Sequence, residues 1–217
     1  PRLDALQLRL TGSGGQSLGM FAVPGMPIYL EGDANDGVGK SLSGGTLVVR
    51  PPKDVGFGDD WYNQVIVGNV ALYGATAGRA FIAGQGGERF MVRNSGAEGV
   101  VEGVGDHACS FMTRGSMVSI GDALGWNFGS GSSGDARMVL YDQFNLAARQ
   151  MRSDVTIMNL ADADAHMIER VRALIREHHQ LTGSPRARSI LKRWQRQLRH
   201  FRLVIPKVQQ PEAAQAA

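Results

Sequence analysis

Apolar residues in the first two-thirds of the chain come in short runs bounded by glycine, and the runs recur. Residues 79–83, 98–102, 116–120 and 136–141 each follow a glycine: Gly78, Gly96, Gly115 and Gly134. The last three of these stand 19 residues apart, and Gly78 lies 18 before Gly96. Gly45 precedes the β-branched run 46–50 in the same way. A fixed period near 19 with one strand-like run per period predicts a stacked solenoid, specifically a parallel β-helix. A single coil cannot bury its own apolar side chains, but coils stacked at roughly 4.8 Å share one core. Gly45, Gly78, Gly96, Gly115 and Gly134 are therefore read as the structural repeat.

Outside that stretch the pattern extends in both directions. Leu6, Leu8 and Leu10 alternate with Gln7 and Arg9 and predict a strand with one buried face. Residues 18–23 and 26–31 add two more apolar runs, separated by the turn Pro24-Gly25. Residues 53–62, with their Gly, Asp and Trp content, break the period and predict a surface excursion between coils. Residues 65–67 restart the stack, which continues to about residue 142. Residues 144–153 fit neither pattern and mark a boundary, and 154–160 have the composition of one more strand.

Helical spacing then takes over. Asp162 or Asp164 can cap a helix that runs to about Leu181, with Ile168, Val171, Leu174 or Ile175, and His178 on one face. Gly183 is a natural stop. Ser184-Pro185 restarts a helix, with Ile190, Leu191, Trp194, Leu198 and Phe201 as its stripe. The expectation is an αα-hairpin, then a short apolar segment at 203–206 and a frayed end after about 208.

Composition sharpens this division. Of 29 glycines, all but Gly183 precede residue 149. Residues 1–148 carry 10 Lys/Arg and 14 Asp/Glu, a net of −4, whereas 149–217 carry 13 and 6, a net of +7. The chain thus divides into a Gly-rich β-helix (1–148) and a basic helical tail (149–217) that packs on the β-helix or on a partner. The single cysteine, Cys109, excludes an internal disulfide and suits a reducing compartment. No apolar run reaches the roughly 18 residues of a membrane helix, and no signal peptide opens the chain, so a cytoplasmic location is expected. The chain begins with Pro1 and not Met, as expected of a processed or excised piece of something longer.

Several motifs invite catalytic or binding readings. Ala34-Asn-Asp-Gly-Val-Gly39-Lys40-Ser41 fits a relaxed P-loop, which would make the chain a nucleotide-binding protein. A P-loop needs a helix after it, however, and here a strand follows, so a turn between coils is the expectation. Gly129-x-Gly131-x-x-Gly134, with Asp154 downstream, fits the dinucleotide fingerprint, but Gly134 is in register with the repeat. Gly15-Gln-Ser17-Leu-Gly19 fits the nucleophile elbow without the helix that motif requires. Asp106-His107-Ala-Cys109 lacks the paired spacing of a zinc site, so His107 is read as a turn residue and Cys109 as a buried small hydrophobe. No residue is assigned a catalytic, cofactor-binding or metal-binding role. The basic tail would suit a nucleic-acid adaptor, but Trp194 and Phe201 lie on the apolar stripe and cannot stack on bases. Docking on the acidic body or an acidic partner is the expectation.

Longer strings then identify a relative. Gly32-Asp-Ala-Asn-Asp36, Gly39-Lys-Ser-Leu-Ser-Gly-Gly45, Leu72-Tyr-Gly-Ala-Thr76, Val92-Arg-Asn-Ser-Gly-Ala97, Val100-Val-Glu-Gly-Val-Gly-Asp-His107 and Leu181-Thr-Gly-Ser-Pro-Arg-Ala-Arg188 resemble the C-terminal, Gly-x-Gly-x-Gly repeat domain of the glutamate synthase large subunit. The resemblance covers about Leu8 to Pro206 and departs from the family at 106–111, 129–135 and 144–154. It implies a right-handed parallel β-helix with a helical tail, regarded in the family as architectural. The whole enzyme of that family converts glutamine and 2-oxoglutarate to two glutamates. By implication the partners are the amidotransferase and FMN-binding synthase modules, with a reductant-supplying subunit as a further one, and neither nucleic acid nor membrane. FMN and an iron–sulfur cluster would sit on the associated synthase module and none on this chain, which has no cysteine set for a cluster.

Overall fold

The computed structural model describes residues 6–52, 54–56 and 58–207. The runs of the repeat become strands, whereas residues 18–23 form a turn of the first coil. In chain order these are β1 (Leu8–Ser13), β2 (Pro27–Asp33), β3 (Ser43–Arg50), β4 (Val65–Val67), β5 (Ala77–Ile82), β6 (Gln85–Gly86), β7 (Ser95–Val101), β8 (Arg114–Ser119) and β9 (Asp135–Tyr141). After β9 come α1 (Ala147–Gln150), β10 (Val155–Asn159), α2 (Ala165–Thr182), α3 (Pro185–Lys192), α4 (Trp194–Gln197) and β11 (Phe201–Pro206).

The main sheet runs β1-β2-β3-β5-β7-β8-β9-β11-β10. From β1 to β9 every neighbouring pair is parallel. β4 and β6 make a second, short parallel ladder. The single bridges Ala34–Val67, Gly86–Val104 and Val104–Leu124 continue that ladder along the stack. This is a β-solenoid: one strand of the main sheet per coil, each paired with the same position one coil away. The register keeps side chains in columns. Val48 stands beside Phe81, Phe81 beside Val100, Val100 beside Val118, and Val118 beside Val139.

Strand alternation sends adjacent columns to opposite faces. Leu47, Ala80, Met117 and Met138, with Val49, Ile82, Val101 and Leu140, point into the coil and build the inner core. The Val48-to-Val139 column points out, and Val171, Leu174 and Ile175 of α2, Ala187 and Ile190 of α3 and Trp194 cover it. Two cores therefore share one sheet.

The helix boundaries follow from their capping residues. Asp164 accepts from the Met167 N–H at the start of α2. Gly183, left-handed at φ 79°, ends it. Ser184 then accepts from the Ala187 N–H, with Pro185 in the first turn of α3. The second helix is shorter than its apolar stripe suggests. It breaks at Arg193 (φ −123°, ψ 28°), and Phe201 opens a strand instead of ending a helix. The cause is the sheet edge. Residues 201–204 pair antiparallel with β9 and bury Phe201, Leu203 and Val204 there. β11 in turn pairs with β10, so the main sheet includes strands from both sides of residue 148. The expected fraying after about 208 concerns residues outside those described. Among the described residues no helix is long and apolar enough to cross a membrane.

Candidate functional site

Between strands, each coil turns through an arc in which left-handed residues alternate with ordinary ones. The left-handed positions are Ser17, Gly19 and Phe21 in the first coil; Gly37, Gly39 and Ser41; Val70, Leu72 and Gly74; Arg89, Met91 and Arg93; His107, Cys109 and Phe111; then Asn127, Gly129 and Gly131. Their φ angles all lie between 54° and 76°. Such alternation makes a nest of N–H groups, the backbone arrangement that phosphate-binding loops use to hold anions. Here those groups are engaged in every arc after the first. In the inner arcs the first and third left-handed residues donate to the following coil and the middle one to the preceding coil.

This rule settles where the suggestive motifs stand. In Ala34 to Ser41, the N–H groups of Gly37, Gly39 and Ser41 donate to the carbonyls of Asn69 (2.9 Å), Leu18 (2.8 Å) and Tyr73 (2.8 Å). Lys40 lies over the Tyr73 ring at 5.8 Å. β3 follows this segment where a P-loop would need a helix. Ser17 is an arc residue whose N–H donates to Asp36 O. The Gly129 N–H reaches Ala108 O, and the Gly131 N–H is bound by the Asp154 carboxylate at 2.7 Å. Asp154 thus serves the backbone of the last arc. The His107 N–H donates to Trp126 O, and Cys109 sits in the inner core, where burial pushes its thiol pKa up. Among the described residues no three His, Cys, Asp or Glu side chains group as metal ligands.

The periodic glycines lie at or beside the start of the strands. A Cβ on Gly78 would meet Gly45 O at 2.5 Å, and one on Gly134 would meet Thr113 O at 2.7 Å. On Gly96 and Gly115 it would run into the carbonyls of Thr76 and Ala97, and on Gly45 it would crowd Ala22 and Met26 O.

The densest buried polar constellation lies where the helices meet the coils. Glu102, just after β7, is fully buried, and its Oε1 contacts His178 Nε2 of α2 at 2.9 Å. The Ser184 hydroxyl donates to the same oxygen. The Thr182 hydroxyl donates to His178 O at 2.6 Å and accepts from the Ser184 N–H. These residue types suggest a Ser-His-Glu triad, but the geometry is different. Serine and histidine both bond the carboxylate and not each other, and His178 Nδ1 has no partner. A nucleophile needs its base within reach and access to substrate, and the side chains of Glu102 and His178 are 0% exposed. The cluster is suited to fastening α2 and α3 to the coils. Arg186 reinforces it from the rim. Its guanidinium bonds Ile120 O and Asp122 (2.7 Å) and lies between the Tyr62 and Tyr141 rings. Arg79–Glu177 and Arg170–Glu98 tie α2 to the coils as well.

Sequence reasoning placed His178 on the apolar face of α2 but did not find its partner. A carboxylate within an apolar run, Val100-Val-Glu102, was the available signal.

The model of the family described as GXGXG motif matches residues 2–207. The chain belongs to that family. A Gly-x-Gly spacing is also the spacing of the left-handed arc positions, as at Gly37 and Gly39 or Gly129 and Gly131. Over 94% of its length this GXGXG chain is 44% identical to the glutamate synthase (NADPH) large chain of Bacillus subtilis and 46% identical to the glutamate synthase (NADH) of Schizosaccharomyces pombe. It is 44% identical to the ferredoxin-dependent glutamate synthase of Pyropia yezoensis over 93%. It spans only 13%, 9% and 13% of those relatives. The GXGXG chain is thus similar to a small part of glutamate synthase large chains.

Proposed function

We propose that this chain is the non-catalytic, scaffolding β-solenoid of a glutamate synthase, holding the amidotransferase and FMN-binding synthase modules in register. The observation that carries the reading is the engagement of the arc N–H groups between coils, which takes up the donors that Gly37, Gly39, Ser41, Gly129 and Gly131 would offer a ligand. In this reading the Gly-rich part up to residue 148 is the rigid spacer, and the described residues from 149 onward cover its flank and close its far end. Gly45, Gly78, Gly96, Gly115 and Gly134 keep the coil spacing. FMN and the iron–sulfur cluster belong to the synthase module. Cluster ligation takes a set of cysteine thiolates, and Cys109, the single cysteine, is packed in the core. The reaction of the assembled enzyme is glutamine and 2-oxoglutarate to two glutamates, in the cytoplasm, with electrons from a reductant-supplying subunit. The contacts of Arg79, Arg170 and Arg186 with the coils favour protein docking over nucleic acid as the role of the basic helices.

The test is to assay the purified chain for FMN content, glutaminase activity and glutamate synthesis. None is expected; stoichiometric FMN or turnover above background contradicts the reading.

A further inference from the structure

The hydrogen-bonding rule of the arcs shows what is missing at each end of the stack. In every arc after the first the middle left-handed N–H donates backward: Gly39 to Leu18 O (2.8 Å), Leu72 to Val38 O (2.7 Å), Met91 to Ala71 O (2.8 Å), Cys109 to Phe90 O (2.7 Å) and Gly129 to Ala108 O (2.8 Å). Two carbonyls per arc accept from the coil behind, as Asp36 O does from Ser17 and Lys40 O from Phe21. In the first coil the equivalent groups are the Gly19 N–H and the carbonyls of Gln16 and Met20. None of these has a backbone partner among the described residues.

The far end of the stack is handled differently. There the Asn127 N–H is taken by Gln150 O at 2.9 Å and the Gly131 N–H by the Asp154 carboxylate at 2.7 Å, in place of a further coil. β11 covers the edge of β9. The near end has no such closure among the described residues. β1 pairs only with β2. Among the described residues, five of the ten exposed large apolar side chains lie in this first coil: Leu6, Leu10, Met20, Phe21 and Val23. The helical layer also stops short, leaving a groove of about 580 Å³ between β1–β3 and the end of α2. A solenoid whose terminal repeat has no polar cap is an assembly surface.

We propose that the first coil is the docking surface for a strand-and-turn segment of the longer polypeptide to which such regions belong in their relatives. This rests on the structural reading above and names the contact it uses. The segment lays an extended strand along β1, with apolar side chains over Leu8 and Leu10. Its turn presents a carbonyl to the Gly19 N–H and two N–H groups to Gln16 and Met20. A second copy does not fit. Two open ends related by a two-fold axis bring four carbonyls against two N–H groups, and head-to-tail stacking is blocked by β11, Gln150 and Asp154.

Hydrogen exchange by mass spectrometry tests this on two intact proteins: this chain alone and the full-length Bacillus subtilis large chain, 44% identical to it. The N–H groups of residues 8–23 that have no partner in the next coil, Gly19 among them, are expected to exchange within seconds in the chain alone, and the aligned groups at least ~100-fold more slowly in the full-length relative. Equally fast exchange in both overturns the docking surface while leaving the structural reading in place. That reading fails separately, through FMN binding or turnover by the chain alone. Sedimentation of the chain is expected to show a monomer. A dimer abolished by Leu10→Lys with Phe21→Lys would assign the surface to a second copy and overturn the proposal.

Discussion

Val70, Leu72, Met91 and Cys109 hold a left-handed backbone that residues with a Cβ adopt at a cost of roughly 1–2 kcal/mol each. They tolerate it because each N–H in that conformation meets a carbonyl of a neighbouring coil. Glycine therefore plays two separable roles here, and substitution distinguishes them. Gly74 is left-handed with only Ser41 Oγ near its missing Cβ, at 3.9 Å, so Gly74→Ala is expected to cost about 1 kcal/mol. Gly78 faces Gly45 O at 2.5 Å, so Gly78→Ala is expected to cost above ~3 kcal/mol in urea unfolding. Equal costs would refute the distinction. The periodic glycines were visible in the sequence because close approach of backbones excludes every other residue. The arcs were not, because Val70 or Met91 carries no local signal for φ > 0; only stacking imposes it. At the surface, partial burial and then Arg199 and Arg202 hold the His200 pKa below its usual value near 6.5. The unfolded chain then takes up this proton first, so this contribution to stability is intact above pH 6.5 and lost as pH falls below it. NMR titration should place His200 below 6.5, and Arg199→Ala with Arg202→Ala should move it back up.

At the scale of elements, the helical layer is held to the coils chiefly through α2 and α3. The ends of both helices were legible because Asp164, Gly183, Ser184 and Pro185 each act within a few residues of where they stand. The break at Arg193 was not legible. The spacing of Ile190, Leu191, Trp194, Leu198 and Phe201 suits a helix, and only the open edge of β9 draws Phe201 into a strand. The Glu102–His178–Ser184 cluster was hidden for the same reason, since its members lie 76 and 82 residues apart. Breaking a buried pair leaves its other member without a partner, at a cost of about 3–5 kcal/mol. Glu102→Ala should therefore lower stability by that amount in chemical denaturation, and Glu102→Ala with His178→Ala should cost less than the sum of the single changes. Strict additivity would mean that the two side chains do not act together.

For the whole molecule, a repeated coil that satisfies its own backbone gives rigidity along one axis, one closed end and one end lined with apolar side chains. The stacked solenoid was legible in the period near 19 of the glycine-bounded runs. Closure of the stack by β10 and β11 was not, since it depends on antiparallel pairing across the 59 residues of chain between Tyr141 and Phe201. On the proposed reading the glycine motifs serve as coil-to-coil bonding elements. The most direct measurement is amide hydrogen exchange, read by NMR, at Gly37, Gly39 and Ser41 with and without Mg-ATP. Slow exchange close to the limit set by global unfolding, unchanged by Mg-ATP, is expected. Rapid exchange that Mg-ATP slows would show these N–H groups free for phosphate and contradict the account.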